Sequence, residues 1–336
     1  MLLLPTPRAR LATWLALSWL TFLIGTGLLA PWLPLPYAAA TPDLLYVATP
    51  PTWPPDGPAH YLGTDALGRD VLAGLVVGAQ RMVLLTLPAM LLATLAGTLA
   101  GATAGFWGNR QLRLPIAVAG WVATALWWTL ALPGQIFLLV VASTLQLLSL
   151  PRWRAAARAT PLVPYTFALP LDSLILGTIT LLGAVPRLIL LVVLAAGPPP
   201  TSLQLAGLLA LLAWPEAARL VRSQMLWVRA QPFIAAAQAS GLPIGRIWWH
   251  HALPHACRPL WAFAPLSLAT LVGLESTLGF LGIGMGPDTI SWGGLLATVR
   301  QSPAAWWVAL APGLALLLTL LSLQKVAAAS SKSTAE

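Results

Sequence analysis

Charge and cysteine are both scarce in this sequence. Only 8% of its 336 residues are charged, whereas 58% are hydrophobic, and the mean hydropathy is +0.81. A soluble protein of this size would need far more charge on its surface. The composition therefore excludes a soluble globular protein and predicts a polytopic membrane protein. The one cysteine, Cys257, excludes an internal disulfide and a CxxC-type metal or redox site.

The signatures of several chemistries are missing as well. The sequence contains no GxxxxGK[ST] phosphate-binding loop, so we expect any nucleotide chemistry to come from a partner. It contains no GxSxG or HExxH motif and few carboxylates, so we expect no enzyme and no cofactor. His251 and His255 have the spacing of two metal ligands on a helix. Pro254 interrupts that helix face, and we therefore predict no metal site.

Basic residues outnumber acidic residues by 18 to 9. In a soluble protein this excess would suggest a nucleic-acid partner. In a membrane protein, basic residues collect in the cytoplasmic loops and fix the orientation of the chain. We therefore expect a membrane-lipid environment and no nucleic acid.

Six apolar runs are long enough to cross a bilayer, which takes about 20 residues. They lie near 12–33, 83–106, 174–197, 202–219, 260–281 and 305–325. The first run is too long for a typical signal sequence and lacks a convincing cleavage site, so we interpret it as an uncleaved span. The predicted fold class is an all-α membrane protein with six core spans.

A further apolar run at 115–150 is broken by Pro133-Gly134. It is either one tilted span or a short hairpin of two. Arginines flank the run on both sides, which places both flanks in the cytoplasm and favours an even number of crossings. We therefore predict an extra apolar hairpin within an insertion at 109–172.

The distribution of basic residues predicts one membrane domain over 1–336, in the plasma (inner) membrane, with both termini cytoplasmic. Its predicted parts are a cytoplasmic N-terminus at 1–11, an outer loop at 34–82, a cytoplasmic segment at 233–254 and a disordered tail at 327–336.

The cytoplasmic segment 233–254 is rich in small residues. Alanine propagates a helix, and Gly241-Leu242-Pro243 should end one helix and start the next, so we predict two short helices. Small residues let the backbone of a partner approach closely. The alternative interpretation is an ordinary connector between spans.

The order of residues in this segment resembles the EAA loop of ABC importer permeases. The positions concerned are Ala235, Ala236, Ala237, Gly241, His251, Leu253 and Pro254. Ala235 stands where the family has a glutamate. In that family the loop is a coupling helix that inserts into a cleft of the cytoplasmic ATPase. The resemblance therefore implies that these residues couple the membrane spans to ATP hydrolysis.

Two other blocks resemble the second permease of dipeptide, oligopeptide and nickel-type importers. The first block matches the signature GTDxxGRDxxxxxxxGxR, with Gln80 in place of the usual arginine and Arg81 next to it. Its matching residues include Gly63, Thr64, Asp65, Gly68, Arg69 and Asp70. We expect a solvated, hydrogen-bonded turn and a helix start here. The second block, 274–296, includes Glu275 and Trp292 and has Gly279 where the family has serine.

The resemblance implies a permease subunit that lines a translocation path for peptides or a related small solute such as nickel. It also implies a second permease subunit, two cytoplasmic ABC ATPase domains and an extracytoplasmic substrate-binding protein as partners. The alternative is an ion-coupled secondary transporter that works without an ATPase.

Five residues are candidates for either a gate or a structural role: Arg187, Glu216, Arg219, Glu275 and Trp292. Glu216 and Arg219 are three residues apart on a helix, so we expect them to pair. Arg187 is either a functional charge inside a span or the first residue of a span that Pro186 opens, with its side chain reaching the interface.

Overall fold

The computed structural model of the protein describes residues 7–52, 60–109, 113–115, 166–195, 200–283 and 289–335. These residues are helical apart from their connecting loops and one short antiparallel pair of strands. The helices are α1 (Pro7–Leu29), α2 (Val71–Trp107), α3 (Leu171–Gly183), α4 (Arg187–Ala195), α5 (Ser202–Arg229), α6 (Pro232–Ala239), α7 (Ile244–Arg246), α8 (Leu253–Ala256), α9 (Leu260–Leu281), α10 (Trp292–Thr298) and α11 (Trp306–Ala335). A 3₁₀ turn (Ala30–Trp32), a π-helix (Ile247–Ala252) and the strands β1 (Arg113–Pro115) and β2 (Thr166–Ala168) complete the described elements. The predicted all-α class is confirmed.

Five of the described helices are long and apolar enough to cross a membrane. These stretches are Leu11–Trp32, Val71–Trp107, Ser202–Arg229, Leu260–Leu281 and Trp306–Ser331. α3 and α4 form a sixth candidate, which is bent by 80° at the break between them. The predicted extra hairpin lies, from residue 116 on, outside the described residues.

Three predicted boundaries differ from the structure. α2 begins at Val71, so the outer loop is shorter than 34–82. α5 continues to Arg229, ten residues past the predicted end of its span. The prediction of a disordered tail at 327–336 is wrong up to Ala335, because α11 continues to that residue. Alanine and lysine are good helix formers, and here they extend an existing helix rather than start a new one.

The chain divides into two compact units, 1–102 with 179–336 and 103–178. In the second unit, β1 pairs with β2 so that Leu114 lies opposite Phe167. The Asn109 side chain accepts a hydrogen bond from the backbone N–H of Ser173 and donates one to the hydroxyl of Ser173, both at 2.9 Å.

The core of the first unit lies between α2, α4, α5 and α9. Its largest buried side chains are aliphatic and almost fully enclosed, among them Leu85, Leu191, Leu205, Leu209 and Leu271. α9 also packs on α10 and α11, and α11 packs on α1. The indole N–H of Trp19 donates to the hydroxyl of Thr319 at 3.1 Å, which joins α1 to α11. Such interhelical hydrogen bonds and tight packing hold helices together in lipid.

α2 and α5 approach each other at two glycines one helical turn apart. A Cβ atom added at Gly97 would lie 2.5 Å from the carbonyl oxygen of Trp214, and one added at Gly101 would lie 2.3 Å from that of Ala218. Gly97 and Gly101 form a GxxxG pattern, which lets two helix backbones come into contact in a membrane. This contact fixes α2, which begins directly after the GTDxxGRD segment, against α5.

Candidate functional site

The GTDxxGRD segment forms a buried polar cluster. We call His60, Thr64, Asp65 and Asp70 the outer cluster; each is at most 3% exposed. The prediction of a hydrogen-bonded turn that leads into a helix is confirmed, because the segment ends where α2 begins. The prediction that this turn is solvated is wrong, because the preceding loop and α11 cover it.

Asp65 closes the turn from inside. Its Oδ1 accepts hydrogen bonds from the backbone N–H groups of Leu67 (2.9 Å) and Arg69 (2.8 Å). Its Oδ2 is buried without a hydrogen-bond partner among the described residues. Burial raises the pKa of Asp65 above its ordinary value of 3.8, and the two hydrogen bonds oppose that shift.

Asp70 caps the first turn of α2. Its Oδ1 accepts a hydrogen bond from the backbone N–H of Ala73 at 2.8 Å, which satisfies one of the free donors at a helix start. Its Oδ2 lies 2.9 Å from Nδ1 of His60. The ring of Tyr37 stacks on the imidazole of His60 with 4.2 Å between centroids. His60 is a member of the cluster that the sequence did not identify.

Two glycines make the turn possible. Gly63 and Gly68 both have a φ of +78°, a backbone conformation that favours glycine. A Cβ at Gly68 would also lie 2.4 Å from the carbonyl oxygen of Asp43. Beside Gly63, the indole N–H of Trp307 in α11 donates to the carbonyl of Thr64 at 3.1 Å. The outer cluster is thus anchored to the first turn of α11.

The block around Trp292 locks α10 onto α2. Ser291 caps α10 by accepting a hydrogen bond from the backbone N–H of Gly294 at 3.0 Å. The indole N–H of Trp292 donates to the carbonyl of Leu75 at 2.9 Å. A Cβ at Gly78 would lie 2.5 Å from the Trp292 ring, so a larger residue would push the ring away. Gly78 of one motif therefore makes room for Trp292 of the other.

The departure at Gly279 fits this packing. A Cβ there would lie 2.6 Å from Oγ of Ser291, the residue that caps α10. In this chain the serine of the family pattern would therefore displace the Ser291 hydroxyl from its capping position or push α9 and α10 apart.

Arg81 and Glu275 form an ion pair between α2 and α9. Nε of Arg81 lies 3.9 Å from Oε1 of Glu275, and the two side chains are 16% and 2% exposed. Neither atom has a hydrogen-bond partner among the described residues. A charge in a membrane-spanning helix is costly without a partner, so this pair accounts for the burial of Glu275.

Glu216 on α5 pairs with Arg187 on α4. The predicted pairing of Glu216 with Arg219 is not what the structure shows. α4 begins at Arg187, directly after Pro186, in agreement with the interpretation that the proline opens this helix. Both charged side chains are 35% exposed, so the pair lies at the edge of the helix packing.

Residues 233–254, here called the coupling segment, form a short helical unit after α5. α6 ends before Gly241, whose φ of +75° turns the chain, and Pro243 precedes α7. The predicted break between two short helices is thus confirmed. Ile234 and Ala237 face inward and are buried, whereas Ala235 and Ala236 are exposed.

The second half of the coupling segment is a π-helix that leads into α8. Its buried side includes Ile247 and Ala252, and α8 packs against α5. Nδ1 of His255 lies 2.7 Å from the carbonyl oxygen of His251, one turn earlier. His251, Leu253 and Pro254 of the predicted motif therefore belong to the connection between the exposed helix and the span α9. Among the described residues, no group of three potential ligands could hold a metal ion.

The coupling segment and the Trp292 block lie beyond opposite ends of α9. This helix has 22 residues, which at 1.5 Å per residue makes it about 33 Å long, enough to cross a bilayer. The residues of the three predicted motifs therefore form two separate sites: the outer cluster with the Trp292 block at one end, and an exposed helical segment at the other.

Comparison with known proteins identifies relatives along most of the chain. Residues 166–334 match the family model described as "Binding-protein-dependent transport system inner membrane component". The chain is 27% identical over 309 residues to a di/tripeptide transport system permease protein of Pseudomonas aeruginosa, covering 91% of this chain and 82% of that protein. It is 26% identical to a dipeptide transport system permease protein of Alkalihalophilus pseudofirmus, with 84% and 74% covered. It is 25% identical to a probable D,D-dipeptide transport system permease protein of Escherichia coli, with 79% and 69% covered.

Proposed function

Since the chain belongs to the family of binding-protein-dependent transport system inner membrane components, we propose that it carries small peptides across the membrane and is driven by an ATPase docked on the coupling segment. It is a multi-pass inner-membrane protein and the permease subunit of an ABC importer of the dipeptide and oligopeptide type. Peptides are the proposed substrate class because the relatives are named as di/tripeptide, dipeptide and D,D-dipeptide permeases.

The observation that carries the coupling proposal is that one face of the coupling segment is buried while large apolar side chains on it remain exposed. Ile234 and Ala237 hold α6 on the membrane domain, while large apolar side chains point away from it: Phe233 is 39% exposed, Ile244 58% and Trp249 54%. Apolar side chains that stay exposed next to small residues are typical of a surface that a partner covers. α8 joins this segment to α9, so a displacement of the docked segment would be transmitted to a span that carries Glu275.

The proposed assembly contains a second permease subunit, two cytoplasmic ABC ATPase domains and an extracytoplasmic binding protein. ATP hydrolysis is assigned to the ATPase domains because the chain lacks a phosphate-binding loop. The proposed orientation places both termini and the coupling segment in the cytoplasm, with the outer cluster on the opposite side. This orientation satisfies the rule that basic residues remain inside.

Site-directed crosslinking in membranes tests the coupling proposal. A cysteine replaces Ala236 on the exposed face of α6 in a Cys257→Ser background, and the ATPase is co-expressed with and without nucleotide. We expect a crosslink to the ATPase whose yield changes with nucleotide. Gly241 is unsuitable for this purpose because its positive φ would strain a cysteine.

Ala237→Cys is the matched control. It introduces the same side chain one residue further along the same helix, on the buried face. Equal crosslinking at both positions, or none at Ala236 in an assembled complex, would contradict docking on this face. Peptide uptake driven by an ion gradient without any ATPase would instead favour the secondary transporter.

A further inference from the structure

A cavity of about 380 Å³ lies at the end of the first unit where α2 begins. It is lined by one face of α2, by the first residue of α5 and by the residues just before α10. Its volume falls in the range of small-molecule binding sites, about 300–1,000 Å³. Half of its lining residues are apolar, and its polar side chains are those of Gln80, Arg81, Ser202 and Thr289.

Arg81 is the charged residue in this lining. Its Nε faces Glu275 at 3.9 Å, which is too long for a hydrogen bond. Nε is also buried without a hydrogen-bond partner among the described residues. Glu275 is outside the cavity lining and 2% exposed, so it compensates the charge of Arg81 from behind. Arg81 therefore lies between Glu275 and the cavity that it lines.

The position of the arginine supports a role in this cavity. The signature that this segment resembles has its arginine at the position of Gln80, one residue earlier. Gln80 and Arg81 both line the same cavity, so the shift by one residue keeps a basic group there. A purely structural salt bridge to Glu275 would not require that both positions face open space.

We propose that Arg81 binds the free carboxylate of the peptide as it passes this cavity, with Gln80, Ser202 and Thr289 supplying further hydrogen bonds. This inference rests on the proposed function, because it takes the substrate to be a peptide. A guanidinium fork matches a carboxylate in a bidentate geometry that an ammonium group cannot reproduce. The apolar part of the lining, which includes Leu84 and Ile290, would contact the side chains of the peptide.

The test is ATP-driven uptake of a dipeptide by the complete transporter in proteoliposomes. Arg81→Gln removes the charge and should lower uptake by about 10-fold or more, the effect expected from losing a hydrogen-bonded charged partner. Arg81→Lys keeps the charge without the fork and should give an intermediate rate. Lys325→Gln removes one positive charge from an exposed site on α11, outside the cavity lining, and should leave uptake unchanged.

The double variant Arg81→Gln with Glu275→Gln separates binding from structure. If Arg81 only compensates Glu275, removing both charges restores uptake, and the proposal is overturned. If Arg81 binds the carboxylate, uptake by the double variant stays as low as that of Arg81→Gln. Photolabelling supplies a second readout: a diazirine-bearing dipeptide should label residues 80–85 in the wild type and lose that label in Arg81→Gln.

Two other results would also overturn the proposal. One is wild-type uptake by Arg81→Gln. The other is a wild-type complex that shows nucleotide-dependent crosslinking but takes up no peptide. That result would refute a peptide substrate and leave the coupling proposal intact.

Discussion

The contact between α2 and α5 gives the sharpest stability prediction. Alanine at Gly101 would place its Cβ 2.3 Å from the carbonyl oxygen of Ala218, about 1 Å short of ordinary contact at 3.4 Å. Alanine at Gly97 would meet the carbonyl of Trp214 at 2.5 Å. Neither neighbour is the end of a flexible side chain, so the helices must separate. Overpacking of this kind costs about 1–3 kcal/mol.

Gly207→Ala is the matched control, since it lies on α5 with nothing within 4 Å of the added Cβ. There the same substitution should stabilise the protein by about 0.5–1 kcal/mol, because alanine is the better helix former. The free energy of unfolding, followed by tryptophan fluorescence in detergent, should therefore change with opposite signs. Equal effects of Gly101→Ala and Gly207→Ala would refute the close crossing of α2 and α5.

Three further predictions concern the polar contacts. Asp65→Ala should lower the free energy of unfolding by about 2 kcal/mol or more, since two backbone N–H groups lose their acceptor, whereas Asp65→Asn keeps an acceptor and should cost less than about 1 kcal/mol. Burial raises the pKa of Asp65 in the folded state above 3.8, so the folded state binds a proton more tightly than the unfolded state does. The resulting contribution to the free energy of unfolding is fully present below pH 3.8 and is lost as the pH rises through the raised pKa. The wild type should therefore lose stability relative to Asp65→Asn over that rise, and a pH-independent difference would contradict the burial. Trp307→Phe keeps an aromatic ring but removes the indole N–H that donates to the Thr64 carbonyl, so the free energy of unfolding should fall by about 1 kcal/mol. An unchanged free energy of unfolding would argue against this hydrogen bond. A double-mutant cycle on Arg187 and Glu216 should give a coupling energy below about 1 kcal/mol that falls with salt, because both side chains are one third exposed; a larger, salt-independent value would mean that the pair is buried.

The exposed face of the coupling segment and the Arg81 cavity lie at different ends of the first unit. The coupling segment follows the last turn of α5, whereas the cavity includes Ser202, the first residue of α5. α5 and α9 connect the two ends, and α9 carries Glu275 behind Arg81. If the proposed coupling holds, a motion of the coupling segment would reach the proposed peptide contact through α5 and α9.

The sequence alone determined the fold class and the approximate position of five spans. Runs of about 20 apolar residues with few charges must be helical in lipid, because only internal hydrogen bonds can satisfy their backbone. The break at Gly241 was also predictable, because a glycine followed by a proline stops one helix and begins another. Helix ends were less accurate. α11 extends into an alanine-rich segment of good helix propensity, and α2 begins 12 residues before the predicted span, in an apolar segment whose hydropathy does not mark a boundary.

Only the tertiary structure decided which polar residues are buried and with whom they pair. Asp65 and Asp70 have the composition of a solvated turn, yet α11 and the loop before them cover them because glycines allow a close approach. Glu216 could be paired from spacing alone with Arg219, but its partner Arg187 lies 29 residues away. Arg81 and Glu275 are nearly 200 positions apart and meet because α2 and α9 pack in the same core. Local spacing reports neighbours on one helix, whereas these contacts depend on how separate helices pack against each other.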